Sequence, residues 1–375
     1  MTPIRILQIL PALNFCGGIE NYLINYYRNL DKNIIQFDFI THTNIECSFR
    51  EEILEMGGKI YEFPPFSLSS LPNILKRIDS FLYEHAGEYN IIHCHMANAA
   101  CFYFWKARNY NIKNLILHSH QPSASDLFSH KIRNYPLLIL SNLLATERIA
   151  CTKLAGDFLF KHRNYHIIRN AIQVDRFLFN QKKREDIRLI NEWENKIVIG
   201  HIGRFCAQKN QIFLLKVFKE LLNLNNKYRL VLIGQGEDEI LIKKTIRNYN
   251  IDDFVRIIPP IPHVEDFYQA FDAFVFPSLY EGLGIVLVEA QCSGLSTFAS
   301  LERIPSDVCM TNCFHFISLR ESPKKWASII NDKIIFERRN QLEGIEKAGY
   351  SINKEVEKLS SIYLQMVNNT KNDFV

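Results

Sequence analysis

Surplus charge is scarce in this chain of 375 residues: 44 Lys and Arg stand against 40 Asp and Glu, a formal net charge of +4. So slight an excess gives no electrostatic ground for a nucleic-acid partner. Long apolar runs are missing too. The longest, 136–145, is interrupted by Ser141 and Asn142 and is too short to span a bilayer, so any membrane contact would be peripheral. Met1-Thr2-Pro3-Ile4-Arg5-Ile6-Leu7 lacks a basic stretch ahead of a long apolar one, so it does not read as a secretory leader. The nine cysteines are odd in number and contain no C-x-x-C pair. They read as reduced, mostly buried thiols, and the expected location is the cytoplasm. Cys309 and Cys313 could share a helix face, but a metal site would need further ligands nearby. Low-complexity segments and short-period repeats are absent, and so is the G-x-G-x-x-G dinucleotide fingerprint.

What is present suits two ordinary cores. Apolar residues make up 47% and charged residues 22% of the chain, and the length favours two domains, with three as the upper bound. Short apolar or β-branched runs at 4–10, 37–41, 60–63, 91–94 and 115–118 alternate with helical patterns at 18–29, 49–56, 71–84 and 98–108. A charged stretch at 181–186 suits a linker or domain edge. The alternation then resumes, with strands at 196–202, 228–233, 255–258, 273–276 and 297–299 and helices at 210–223, 238–249, 263–270, 285–293 and 322–331. Such alternation implies βαβ units and parallel sheets. The fold class is therefore α/β, with two Rossmann-like domains at 1–178 and 179–350. A last segment, 351–375, carries a helical apolar pattern at Val356, Leu359, Ile362, Tyr363 and Met366.

The most informative stretch is Pro277-Ser278-Leu279-Tyr280-Glu281-Gly282-Leu283-Gly284-Ile285, which continues on an apolar segment to Glu289. It reads as a strand, a Gly-bearing turn and a helix starting near Gly284. Such a junction points the backbone N–H groups of Leu283, Gly284 and Ile285 at an anion beside the sheet edge. Glu281 projects from the turn, and Glu289 lies about two turns into the helix. Carboxylates beside an anion-binding helix start suit a ligand that joins hydroxyls to phosphate, as a nucleotide sugar does. Arg204 and Lys209 lie in a second strand-to-helix junction, where two cations can clamp a pyrophosphate. Gly17 and Gly18 follow the first strand and let the backbone approach a phosphate closely. His93 with His95, and His118 with His120, end two strands at positions that share a face and could bind metal or simply be satisfied in the core. Each charged or glycine position also has a structural reading: helix cap, solvated surface charge, ordinary turn.

Glu281-x7-Glu289, preceded by Phe276-Pro277-Ser278, resembles the signature of the retaining glycosyltransferases of family 4. Gly203-Arg204…Lys209-Asn210, Gly17-Gly18, Asn170…Asp175-Arg176-Phe177 and Gly234-Gln235-Gly236 resemble further motifs of that family, so the likeness runs from about residue 4 to 300. It departs at Ala171, where the family has Gly, and at Gly294-Leu295-Ser296, where a Gly-x-Pro turn is usual. The resemblance implies the GT-B fold, two Rossmann-like domains facing a cleft, with the last helix crossing back to the first domain. It implies that Glu289 accepts from ribose hydroxyls, that Glu281 binds the transferred sugar, that Arg204 and Lys209 neutralise the diphosphate, that Gly17 and Gly18 line the cleft, and that His120 meets the donor sugar. His120, Glu281, Arg204 and Lys209 are then the expected catalytic set.

No D-x-D motif is present to carry a metal, so neither a metal nor another cofactor is expected. The expected partners are a nucleotide-sugar donor, with UDP as the expected nucleotide, and a glycan or lipid-linked saccharide acceptor of capsular or exopolysaccharide synthesis. Residues 260–263, where the family's base-contacting loop falls, do not themselves specify the base. Peripheral contact with the inner face of a membrane is a further expectation, on the cationic and apolar stretch 127–140. Two other readings stay open: a nucleotide-sugar epimerase of the same fold, and a catalytically silent partner subunit.

Overall fold

A computed structural model describes residues 2–14, 18–43, 47–67, 69–121 and 128–372. The chain divides into two compact units. The first comprises 1–170 with 352–375, and the second 171–351.

The first unit is built on β1 (Ile4–Leu10), β2 (Ile35–His42), β3 (Ile60–Phe63), β4 (Ile91–Cys94), β5 (Asn114–Ser119), β6 (Glu147–Ala150) and β7 (His166–Ile167). They form a parallel sheet in the order β3-β2-β1-β4-β5-β6-β7. Strands buried on both faces read as unbroken apolar runs. Leu7, Ile9, Ile40, Ile92, Leu115 and Leu117 join one core cluster with Ile74 and Ile78 of the helix Leu71–His85. The charge of Asp38, fully buried on β2, is met by Arg5, whose guanidinium nitrogen lies 2.6 Å away. The helix Ile352–Asn372 belongs to this unit. Its Glu355 accepts from the Arg169 N–H at 2.8 Å, and its Tyr363 is buried against β1 and β4 through Gln8 and His93.

The second unit repeats the plan with β8 (Ile197–Ile202), β9 (Tyr228–Ile233), β10 (Val255–Ile258), β11 (Ala273–Phe276), β12 (Ser296–Ser300) and β13 (Phe314–Ile317). The order is β10-β9-β8-β11-β12-β13, again parallel. In each unit the chain winds outward from a central strand and then returns to that strand's other side. The resulting switch point lies between β1 and β4 in one sheet and between β8 and β11 in the other, where ligands of open α/β sheets bind beyond the strand ends.

Three details differ from the expectation. The first crossover falls after Asn170 and not after 178: the Ile172 N–H donates to the Tyr350 carbonyl at 2.9 Å, and Val174 and Phe177 enter the second unit's core. The charged stretch 181–186 is no linker but the start of the helix Gln181–Ile190, capped by the Asn180 side chain. Arg184 and Arg188 of that helix turn inward onto the buried Asp272. Strands β6, β7 and β13 lie outside the expected set, because Glu147, Arg148, His166 and His315 break their short apolar pattern.

Candidate functional site

In the second unit, β8 and β11 deliver two loops to the switch point. The loop after β8 begins at Gly203, whose N–H donates to the Ile233 carbonyl at 3.0 Å. Phe205 N–H then donates to Gln235 O at 2.9 Å, laying this loop against the turn after β9. Only glycine fits at 234 and 236, because a Cβ there would lie 2.0 Å from Gly203 O and 2.3 Å from Phe205 O. The loop after β11 is stitched to the first. Leu279 N–H donates to Gln208 O at 2.8 Å, the Gln208 amide donates to Tyr280 O at 2.8 Å, and the Asn210 amide donates to Pro277 O at 3.2 Å. Asn210 itself sits in the left-handed region, φ 57°, which Asn tolerates better than most residues.

This stitching brings Lys209 to Glu281. Lys209 Nζ lies 2.6 Å from Glu281 Oε1, and the Ser278 hydroxyl donates to the same oxygen at 2.6 Å. The ammonium also lies 4.9 Å from the centre of the Phe276 ring. Glu281 is buried and held from behind by its N–H, which donates to Arg303 O at 3.0 Å. Arg204 does not join this pair. It points outward and meets Glu237 at 3.0 Å, with both side chains more than half exposed. The expected two-cation clamp is therefore split, with Lys209 seated and Arg204 on a solvent-facing partner.

Gly284 adopts φ 77° at the start of the helix Ile285–Cys292, a conformation that favours glycine. The first N–H groups of a helix have no partner within it, which is what lets a helix start bind an anion. The Leu283 side chain is buried in the core, so any ligand contact falls to its backbone. Glu289 is on the same helix and buried. Its Oε2 accepts from the Tyr268 hydroxyl at 2.7 Å. Burial pushes its pKa up to about 7, with Glu265 adding to the rise and Tyr268 and Arg176 opposing it. Tyr268 gave no signal in the sequence, since nothing there pairs it with a residue 21 positions away.

The first unit gathers its own polar cluster at its switch point. Gln8 of β1, His93 of β4 with His95 directly after that strand, and His118 of β5 with His120 directly after it lie side by side. Ring nitrogens of His93, His95 and His118 all fall within 4.8 Å of one another, close enough to hold an ion. The nitrogens that face each other are engaged in hydrogen bonds instead: His93 Nε2 with His118 Nδ1 at 3.1 Å, and His95 Nδ1 with His120 Nε2 at 2.8 Å. Burial lowers the pKa of all four, that of His120 to about 3. Gly17 lies outside the described residues. Gly18 opens the helix Gly18–Asn29, and a Cβ there would meet nothing within 4 Å, so packing does not demand glycine. Gln8, which carries no signal in the sequence, belongs to this cluster through His95, and Glu20 of the helix Gly18–Asn29 is a buried acid whose pKa burial raises to about 7.

Two family patterns match most of the chain. The pattern described as Glycosyltransferase Family 4 matches residues 16–176, and that described as Glycosyl transferases group 1 matches residues 182–334. EpsF of Bacillus subtilis strain 168, a glycosyltransferase by assignment, is 32% identical over 96% of both chains. The chain belongs to the family 4 glycosyltransferases. A UDP-Gal:α-D-GlcNAc-diphosphoundecaprenol α-1,3-galactosyltransferase of Escherichia coli is 25% identical over 54% of each chain. Among solved structures, Anabaena HepE in complex with UDP-glucose superposes with a TM-score of 0.72 at 16% identity, covering 99% of this glycosyltransferase and all of HepE. That likeness establishes the fold, which is GT-B.

Proposed function

We propose that this glycosyltransferase is a retaining, metal-independent enzyme that takes a sugar from a UDP-sugar and places it on a glycan or lipid-linked saccharide of a bacterial surface polysaccharide. The observation that carries the reading is the Lys209–Glu281 pair at the second unit's switch point, beside Gly284 and the start of the helix Ile285–Cys292, which also carries the buried Glu289. Glu289 accepts from ribose hydroxyls and Glu281 from sugar hydroxyls. The N–H groups of Leu283, Gly284 and Ile285 and the Lys209 ammonium hold diphosphate oxygens. Arg204 is exposed and long enough to leave Glu237 for the same diphosphate. In the first unit, the Gly18 backbone serves the phosphate and the neutral His120 receives a sugar hydroxyl.

In the transfer step the bond from the anomeric carbon to the diphosphate oxygen breaks as the acceptor oxygen bonds to that carbon on the same face. The acceptor's proton passes to the leaving oxygen. Lys209 and Arg204 stabilise the negative charge that develops there, so catalysis rests on positioning and electrostatics. The lack of D-x-D supports this assignment of charge neutralisation to side chains. The names of the Escherichia coli enzyme and of the HepE complex support UDP, and the former supports a lipid-linked acceptor.

The decisive experiment is a panel of UDP-, GDP- and ADP-sugars, scored by thermal stabilisation and then by transfer to a lipid-linked acceptor with the product anomer determined by NMR. Stabilisation by UDP-sugars and an anomer matching the donor are expected. An inverted anomer would overturn the mechanism. Full loss of activity in excess EDTA, restored by Mn²⁺, would overturn metal independence.

No described helix is long and apolar enough to cross a membrane. A peripheral contact has structural support in the helix Phe128–Leu144. It exposes Ile139, Leu140 and Leu143, each at least 45% accessible, with Arg133 exposed on the same helix. An apolar strip beside a cation suits an anionic lipid surface next to a lipid-linked acceptor.

A further inference from the structure

The four histidines of the first unit form two hydrogen-bonded files, and both files begin at Gln8. This side chain is fully buried on β1. Its amide oxygen faces His95 Nε2 at 2.9 Å, and its amide nitrogen faces the Tyr363 hydroxyl at 3.3 Å. A carbonyl oxygen only accepts, so His95 carries its proton on Nε2. Neutral imidazole has one N–H, which leaves His95 Nδ1 as a lone pair. That lone pair faces His120 Nε2 at 2.8 Å, so His120 donates from Nε2 and its Nδ1 is left bare.

The second file rests on the hydroxyl proton. The Gln8 amide N–H donates to the Tyr363 oxygen, and the buried Tyr363 hydroxyl finds its acceptor among the described residues in His93 Nδ1 at 2.7 Å, so it donates there. His93 Nε2–H then donates to His118 Nδ1 at 3.1 Å, and His118 ends with its proton on Nε2. The two terminal atoms, His118 Nε2 and His120 Nδ1, are buried and have no partner among the described residues. Their rings stack with centroids 4.0 Å apart. One terminus is a donor and the other an acceptor. A hydroxyl group, which both accepts and donates, satisfies such a pair, and an unsatisfied buried polar atom is costly.

We propose that Gln8 fixes the tautomer of His120, so that His120 Nδ1 stands as an unprotonated acceptor beside the His118 Nε2–H donor, ready for a substrate hydroxyl. Gln8 and His95 are then positioning residues. Burial keeps the imidazoles neutral, which the relay requires, since a second proton on any ring would break a file. Reversing the Gln8 amide would reverse every bond in both files and put the proton on His120 Nδ1. That the hydroxyl belongs to the donor sugar rests on the function proposed above; the tautomers do not.

The test is a long-range ¹H–¹⁵N correlation spectrum of the full-length protein labelled with ¹⁵N-histidine, assigned with His120→Asn and His118→Asn. All four rings should show protonated Nε2 and bare Nδ1. A proton on Nδ1 of His95 or His120 overturns the proposal, and this needs no ligand and no variant at Gln8. Tyr363→Phe should release the His93–His118 file and leave His120 unchanged, whereas Gln8→Leu should give His95 and His120 mixed tautomers. With the UDP-sugar that the panel selects, Gln8→Leu should lower kcat at least tenfold while UDP binds as before. A parallel loss of UDP affinity, or wild-type kcat with mixed tautomers, would overturn the positioning role. If no UDP-sugar is turned over while the spectrum is as expected, the donor reading fails and the tautomer assignment stands.

Discussion

Lys209 and Glu281 already form a 2.6 Å ion pair, so a diphosphate reaching Lys209 competes with a seated carboxylate. Charge-assisted hydrogen bonds contribute about 1.5–3 kcal/mol. Lys209→Ala should therefore weaken UDP binding by roughly 10–100-fold, and isothermal titration would measure it. Among the described residues Arg204 forms its ion pair with the exposed Glu237, and exposed pairs add little stability. Arg204→Ala should thus leave the melting temperature nearly unchanged while lowering turnover; unchanged turnover would remove Arg204 from the site.

Glu289 supplies a pH signature. Its folded-state pKa, about 7, lies above the ordinary 4.5, so the native state holds the proton more tightly than the unfolded chain does. The corresponding stability is present in full below 4.5 and is lost as pH rises through about 7. Glu20 shifts in the same direction. The melting temperature should fall between pH 5 and 7.5, and Glu289→Gln should flatten part of that slope. Binding of a UDP-sugar should strengthen over the same range, because an ionised carboxylate accepts better from ribose hydroxyls. A pH-independent affinity in the wild type would remove Glu289 from ribose recognition.

At the scale of elements, two glycines at helix starts behave differently. Gly284 has φ 77°, and a Cβ there would come within 3.1 Å of Leu287. Gly284→Ala should lower both stability and donor binding. Gly18 has open space around its Cβ position. Gly18→Ala should leave stability equal or slightly higher, as helix propensity favours Ala, yet lower turnover if a phosphate or acceptor approaches that backbone. The helix Phe128–Leu144 makes a third case. Cosedimentation with anionic liposomes should be weak and reversible, and Leu140→Glu with Leu143→Glu should abolish it. Equal recovery of both proteins in the supernatant would remove the membrane contact and leave the transferase untouched.

For the whole molecule, the units are complete in different ways. Residues 171–351 hold an entire six-stranded sheet together with Arg204, Lys209, Glu281 and Glu289. Expressed alone, this segment should fold and bind UDP with near full-length affinity. A folded segment that fails to bind would mean that the donor site is not confined to it. The first unit is not continuous in sequence. Removing 352–375 takes away Tyr363, which supports His93 and Gln8, and Glu355, which accepts from Arg169 N–H. That truncation should destabilise the first unit.

Much of this was written in the sequence, because local rules suffice for it. Alternating apolar strands and amphipathic helices set the parallel α/β class, and Glu281, Glu289, Arg204 and Lys209 stand in short motifs at strand ends. What adjacency in sequence cannot state, the tertiary structure decided. The sheet order places β8 beside β11, and only then does Lys209 meet a carboxylate 72 residues away. It likewise brings Arg184 and Arg188 inward onto Asp272, turning an apparent linker into a packed helix. Gln8, His93 and Tyr363 show the limit most plainly. They are separated by up to 355 residues, yet their buried hydrogen bonds fix which histidine nitrogens carry protons. Protonation depends on burial and on the partner's donor or acceptor character, and both exist only once the chain has folded.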